Sequence, residues 1–391
     1  MIHMLFVGID VAKHKHDVAV LDSEGEVILK HLLIQNNREG FTTLHKSLCQ
    51  LVKVSNEDIR IALEDTGHYS FNILAFLRAK GYQVFSYNPL LIKDFAKSTT
   101  LRKTKTDKKD SVTLAKKILT DIEKNHFVAD EKIYELKYLT RHRHRMMKKQ
   151  TDLKVQYTRI LDILFPELES ILSKTGLHNQ STYELLKKYP SPLKINRAHQ
   201  ASIMKIKHLK AKKATLIHEA SKQTVGSSSF ALEFELRQTI QHIESFKKTI
   251  SEINQEIKNI MDTIDSPLET IPGISTVLSS VILSEVRNIY NFRNPAQLLA
   301  FAGLEPSVNQ SGQMNHDGKM VKRGSPQLRW ALLQAAKSIA RWSPTFANYL
   351  AKKLAQGKHY NVAISHVAKK LVRVIFYLLK SNRHFDEEKL T

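Results

Sequence analysis

Four carboxylates set the first chemistry to consider. Asp10 closes the apolar run Phe6-Val7-Gly8-Ile9, ahead of Val11-Ala12-Lys13, and Glu64 follows Ile59-Arg60-Ile61-Ala62-Leu63. Asp107 and Asp110 open a segment in which Val112, Leu114, Ala115 and Ile118 recur. Hard divalent cations take oxygen ligands, and a pair of them can activate a nucleophile and stabilise a leaving oxygen in phosphoryl transfer. Each acid alone carries little. A lone Asp at a strand end is ordinarily a turn or cap residue, Asp65 rivals Glu64, and an acidic first helical turn complements the helix dipole. Together they suffice for a metal site, here Mg2+ or Mn2+. Lys93, Lys97, Arg102, Lys103, Lys105, Lys108 and Lys109 crowd the same region and suit a phosphodiester held against the metal.

A second chemistry lies far down the chain. Ala302-Gly303-Leu304-Glu305-Pro306 and Gln310-Ser311-Gly312 precede Gly318 and Lys322-Arg323-Gly324-Ser325-Pro326-Gln327-Leu328-Arg329. Glycines permit close backbone approach, and Lys322, Arg323 and Arg329 can grip a phosphate. A serine there can attack phosphorus if its proton is removed and the developing charge is stabilised. Most serines in Gly-rich loops are only turn residues, and no general base is evident. Upstream, Ile271-Pro272-Gly273-Ile274 resembles a helix-hairpin-helix turn, with the backbone at Gly273 open to a phosphate; a tight helix–helix turn is the plain alternative.

The elements that must position these groups follow from periodicity. Residues 4–34 read as three strands with short turns. Asn37 caps a helix bearing Phe41, Leu44, Leu48 and Leu51, and then come a strand at 59–64, a helix at 70–80 and a strand at 82–87. Three strands and then alternating helices and strands is the ribonuclease-H-like order, a mixed sheet covered by helices. Thr106 is placed to cap the helix opened by Asp107 and Asp110, which share one face. Residues 131–172 read as one long helix carrying Arg141, Arg143 and Arg145, a basic stripe for a phosphate backbone or simply a solvated face. His142 and His144, two apart, point to different faces and make a poor metal site. Between 231 and 264 apolar residues recur in steps of three and four, a coiled-coil seam whose partner is the 131–172 helix or another subunit. The organisation expected is 1–125, an α/β domain; 126–264, coiled-coil helices with a lysine-rich helical insert at about 175–229; and 265–391, a mostly α domain with frayed last residues.

Charge names the partner class. Lys and Arg number 60 against 38 Asp and Glu, a net +22, and the pI is about 9.8. An excess of this size suits a polyphosphate backbone, where neutralised phosphates release counterions. No apolar run reaches the length of a membrane span, and no signal peptide is read at 1–4. One cysteine, Cys49, excludes intramolecular disulfides. A cytoplasmic, nucleic-acid-binding protein with no membrane partner is the expectation.

Gly-Ile-Asp-Val-Ala-Lys at 8–13, Glu64, and Lys-Thr-Asp-Lys-Lys-Asp at 105–110 resemble the DEDD motif of the insertion-sequence one-ten transposases. These are similar in this domain to Holliday-junction resolvases of the RuvC type, and Piv-type DNA invertases are relatives. The resemblance, which extends to the 302–329 block, implies a RuvC-like amino-terminal domain with Asp10, Glu64, Asp107 and Asp110 as its acidic tetrad. It also implies a carboxy-terminal domain with a catalytic serine, matched to Ser311 with Ser307 and Ser325 as rivals. Further implications are a bridge RNA that selects DNA sequences, DNA at element ends and targets, and a homo-oligomer. The reading is a DNA transposase or recombinase. Its alternatives are a metal-only junction resolvase or nuclease, and a non-catalytic nucleic-acid-binding protein.

Overall fold

The computed structural model describes residues 4–51, 58–64, 68–87, 89–99, 107–121, 131–311 and 314–390, without the side chains at 90, 91, 107 and 306–319. By contacts the chain divides into two compact units: 1–130 with 286–329 and 369–381, and 131–285 with 330–368 and 382–391.

In the first unit, β1 (Leu5–Val11), β2 (Lys15–Leu21), β3 (Val27–Gln35), α1 (Arg38–Leu51), β4 (Ile59–Glu64), α2 (Ser70–Ala79), β5 (Gln83–Tyr87), α3 (Pro89–Thr99) and α4 (Asp107–Thr120) follow in that order. The sheet runs β3-β2-β1-β4-β5. β1 is antiparallel to β2 and parallel to β4, and β5 extends the parallel half. The expected strands and helices are all present, the third strand ending at Gln35. Asn37 does start α1, accepting from the Gly40 N–H at 2.8 Å.

Strand alternation sorts the two faces. On one, His16 stacks on Phe41 of α1, whose ring meets Phe76 of α2. On the other, α4 lies on Phe6, Leu21, Ala62, Phe85 and Tyr87 through Leu114, Ala115 and Ile118, with Ile92 of α3 completing the cluster. Gly8 decides how close α4 comes. A Cβ there would stand 1.9 Å from the Ser111 carbonyl oxygen and 2.5 Å from the Ala115 nitrogen. The helix backbone rests directly on the strand backbone.

The second unit is built on α5 (Glu131–Leu164). It ends earlier than the 131–172 reading because Phe165 precedes Pro166, which biases its neighbour out of the helical region. Then come α6 (Leu168–Leu172), α7 (Gln180–Lys188), α8 (Pro192–Arg197), α9 (Gln200–Met204), α10 (Ala211–Lys222) and α11 (Phe230–Met261). The seam of α11 is buried at Leu236, Ile240, Ile243, Ile250, Ile253 and Ile257. Its partner is α5 of the same chain, and the pair is antiparallel. Gln156 meets Glu235, Gln150 meets the Ile243 carbonyl and Arg143 meets Asn254. The Gly226-Ser227-Ser228-Ser229 stretch is no free linker. Ser227 N–H donates to the Ile163 carbonyl at 2.9 Å, and Ser229 caps α11.

Beyond α11 lie α12 (Thr276–Val286), α13 (Pro295–Phe301), β6 (Pro306–Ser311), β7 (Met314–Met320), α14 (Pro326–Trp342), α15 (Pro344–Ala355) and α16 (Tyr360–Ser381). The serine block, read as a loop, is a two-stranded antiparallel hairpin with Ser311 opposite Met314. The expectation of a frayed end also fails. Glu387 accepts from Ser343 Oγ at 2.6 Å and from the Thr345 N–H at 3.0 Å, so the tail holds the start of α15.

Candidate active site

Three of the four acids have a common address. Phe6, Gly8 and Asp10 share the α4 face of β1, and Ala62 and Glu64 share it on β4. The register of Ile9 against Leu63 sets Asp10 and Glu64 side by side one step further on. Adjacent strands lie about 4.8 Å apart. Because Ser111 sits over Gly8, the first turn of α4, which contains Asp107 and Asp110, lies toward the end of β1 that holds Asp10. Asp10, Glu64 and Asp110 are each half-buried. The Asp107 side chain, Lys105 and Thr106 lie outside the described residues. Among the described residues no three His, Cys, Asp or Glu side chains stand close enough to hold a metal. Asp10 and Glu64 share a face under the helix that carries Asp110, and the all-oxygen donor chemistry of the acids fits a hard cation such as Mg2+. Lys108 and Lys109 are exposed on the same helical turn.

Sequence reasoning missed one further carboxylate. Asp17 of β2 is the register partner of Asp10, so the two point to the same face. It is buried at 5 % exposure and hydrogen-bonds to His31 Nε2 on β3. A signal was present: an Asp inside the apolar run His16-Asp17-Val18-Ala19-Val20-Leu21 sits at an inward position of a strand buried on both faces. Asp17, Asp10 and Glu64 thus form a row across three neighbouring strands.

Ser311 ends β6, and its backbone belongs to the same compact unit as the acids. Its side chain and that of Ser307 lie outside the described residues. Ser325 is buried and caps α14, accepting from the Leu328 N–H at 3.1 Å. Lys322 and Arg323 are exposed. Arg329 is turned inward, donating to the carbonyls of Ala302 and Lys322 at 3.2 Å each.

The basic residues of α5 divide in the same way. Arg141 pairs with Glu285, at 2.8 Å and 3.1 Å, and that carboxylate is 3 % exposed. Arg143 donates to Asn254 at 2.6 Å, and burial lowers its pKa. Arg145 is exposed. Gly273 has φ +80°, and a Cβ on it would meet Trp342 and Ser338 of α14 at 2.8 and 2.9 Å. Helix packing therefore accounts for that glycine without a phosphate. A short 3-10 turn at Pro267–Thr270, rather than an α-helix, precedes it.

Comparison with known proteins gives two family matches. Residues 7–166 match a transposase model of the DEDD IS110 type, and 265–351 match the transposase IS116/IS110/IS902 family. The chain is 22 % identical to an Insertion element IS116 44.8 kDa protein of Streptomyces clavuligerus, over 97 % of this chain and 96 % of that one. It is 22 % identical to the pilin gene-inverting protein of Moraxella lacunata, over 98 % of each. The first match begins just before Asp10 and runs past Asp110, and the second contains Ser311.

Proposed function

Because this chain belongs to the IS110 family of transposases, we propose that it is a DNA recombinase that cuts and rejoins strands by phosphoryl transfer. In this reading Asp10, Glu64, Asp107 and Asp110 hold a divalent metal, and Ser311 is the nucleophile. The observation that carries it is the common face of Asp10 and Glu64 beneath the helix that bears Asp107 and Asp110, at the closely packed Gly8 crossing. The sheet order, with three antiparallel strands and two added in parallel, supports a RuvC-like domain.

A bound Mg2+ or Mn2+ would supply polarisation of the phosphate and neutralisation of charge on the leaving oxygen. Lys105, Lys108 and Lys109 steady the phosphodiester beside the acids, while Lys322 and Arg323 present charge near the serine hairpin. Ser311 Oγ bonds to phosphorus as the bond to one deoxyribose oxygen breaks. The serine proton is lost, the departing oxygen gains one, and the strand end stays esterified to Ser311. Attack by the hydroxyl of a second strand reverses the step and restores the serine. The number of phosphodiester linkages is conserved, so no nucleoside triphosphate is consumed, in keeping with a sequence that has no Walker loop. The burial of Ser325 as a helix cap favours Ser311 over that rival. A net charge of +22 supports a load larger than one DNA duplex, as a guiding bridge RNA would be, and the family resemblance supports a homo-oligomer.

The test is to trap the protein on element-end DNA with Mg2+, denature it, and map the linked residue by mass spectrometry. A phosphodiester adduct at Ser311, absent in Ser311→Ala, is the expected result. Unimpaired metal-dependent cleavage by Ser311→Ala would leave a metal-only nuclease. Recombination retained by the Asp10→Asn, Asp107→Asn double variant would remove the metal-holding acids from the mechanism.

A further inference from the structure

The helical insert between α5 and α11 contains a stretch that the proposed chemistry does not use. From 185 to 218 the chain has 34 residues with no Asp or Glu and nine Lys or Arg. Its apolar residues Leu185, Leu186, Ile195, Ile203, Leu209 and Ile217 face inward, in one cluster with the adjoining parts of α5 and α11. The stretch is therefore a folded layer with its charge on the outside, not a low-complexity tail.

Two of the nine cations are already matched on the side that meets α11. Lys187 pairs with Glu244 at 2.9 Å, and Lys194 with the buried Glu233 at 2.6 Å. Around the α9–α10 turn the pattern reverses. Arg197, Lys205, Lys207, Lys210 and Lys212 are exposed, and among the described residues none of them has a carboxylate partner. Lys210, Lys212 and Lys213 occupy the cap and first turn of α10, the positive end of that helix's dipole, where cations oppose helix formation. Local stability does not explain so much unpaired charge, whereas a polyanion lying across the turn does.

We propose that the α9–α10 turn, through Lys205, Lys207, Lys210 and Lys212, is a second nucleic-acid-binding face that grips a sugar-phosphate backbone. It rests on the function proposed above only for the choice of polyanion. Duplex DNA and structured RNA share the phosphate chemistry, and the experiment separates them. Binding of the full chain to an element-end duplex and to a structured RNA is measured across a salt series without divalent metal, so that the outcome is independent of strand cleavage. The quadruple alanine variant of these lysines is compared with a control of equal charge change at the exposed Lys46, Lys247, Lys258 and Lys352. With about 0.9 counterions released per duplex phosphate contact and about 0.7 per single-stranded one, the variant should lose at least about tenfold in affinity, and its salt slope should fall by about two to four. Whichever ligand shows the loss is the one that face holds. Four arginines in place of the lysines should retain the slope. Equal losses in variant and control, or no loss on either nucleic acid, overturn the proposal. So does a loss confined to acidic lipid vesicles.

Discussion

Replacing Gly8 with alanine should move a helix rather than fill a space. The added Cβ would lie 1.9 Å from the Ser111 carbonyl oxygen, 2.5 Å from the Ala115 nitrogen and 2.9 Å from Leu114 Cβ. Two of the three are backbone atoms, so no side-chain rotation relieves the clash. Ordinary contact near 3.4 Å requires α4 to rise by about 1.5 Å at Ser111. Leu114, Ala115 and Ile118, each about fully buried, would be drawn from Phe6 and Ala62. Overpacking typically costs about 1–3 kcal/mol, and a backbone-on-backbone clash belongs at about 3 kcal/mol. The same lift separates Asp107 and Asp110 from Asp10 and Glu64, and a misplacement of about 1 Å can cost about a hundredfold in rate. Urea unfolding reads the first quantity. Metal-dependent cleavage of element-end DNA, at a temperature where the variant remains folded, reads the second. Stability within about 0.5 kcal/mol of wild type, together with unchanged cleavage, would refute both the close crossing and its role in aligning the acids.

Other expectations follow from single contacts. Asp17→Asn should leave DNA binding intact but weaken metal affinity and cleavage by about tenfold, as loss of a group that orients the ligands does, read as a raised Mg2+ midpoint. Arg141→Ala should cost about 2 kcal/mol in urea unfolding, because it removes two charge-assisted hydrogen bonds to the buried Glu285 carboxylate, whereas Arg145→Ala should leave stability unchanged. Burial holds the His16 pKa below its usual 6.5, so the unfolded chain binds the extra proton first. Stability from this group should be fully present above pH 6.5 and decline as the pH falls below it. A His16→Phe protein should show a flatter urea midpoint between pH 7.5 and 5.5.

Periodicity made the amino-terminal sheet legible because strands buried on one or both faces and amphipathic helices write their burial into residue order. It also exposed the α11 seam, since ten apolar residues in steps of three and four have no other use. What could not be read were pairings between distant segments. That Arg141 belongs to Glu285 and Arg143 to Asn254 depends on the register of α5 against its neighbours, which no local pattern encodes. The stripe read as phosphate-binding or simply solvated, whereas two of its three arginines are engaged within the fold. The hairpin around Ser311 escaped notice because Asn, Gln, Ser and Gly are poor strand formers and the pairing alone makes the strand. Asp17 was overlooked for a different reason: its partner on the site is Asp10, and only the β1–β2 register brings the two abreast.

The antiparallel course of α5 and α11 has a consequence for how such a chain can change. Thirty-four and thirty-two residues make rods about 50 Å long, and the polypeptide goes out along one and comes home along the other. Residues between 164 and 230 fold back onto the far ends of both rods. Residues on the outer face of this insert may be exchanged while Glu131 and Met261 keep their places, because its inner face, from Leu185 to Ile217, forms one core with the rod ends. Homologues should therefore differ most in charge on the outer face of the insert while keeping the apolar residues that face α5 and α11.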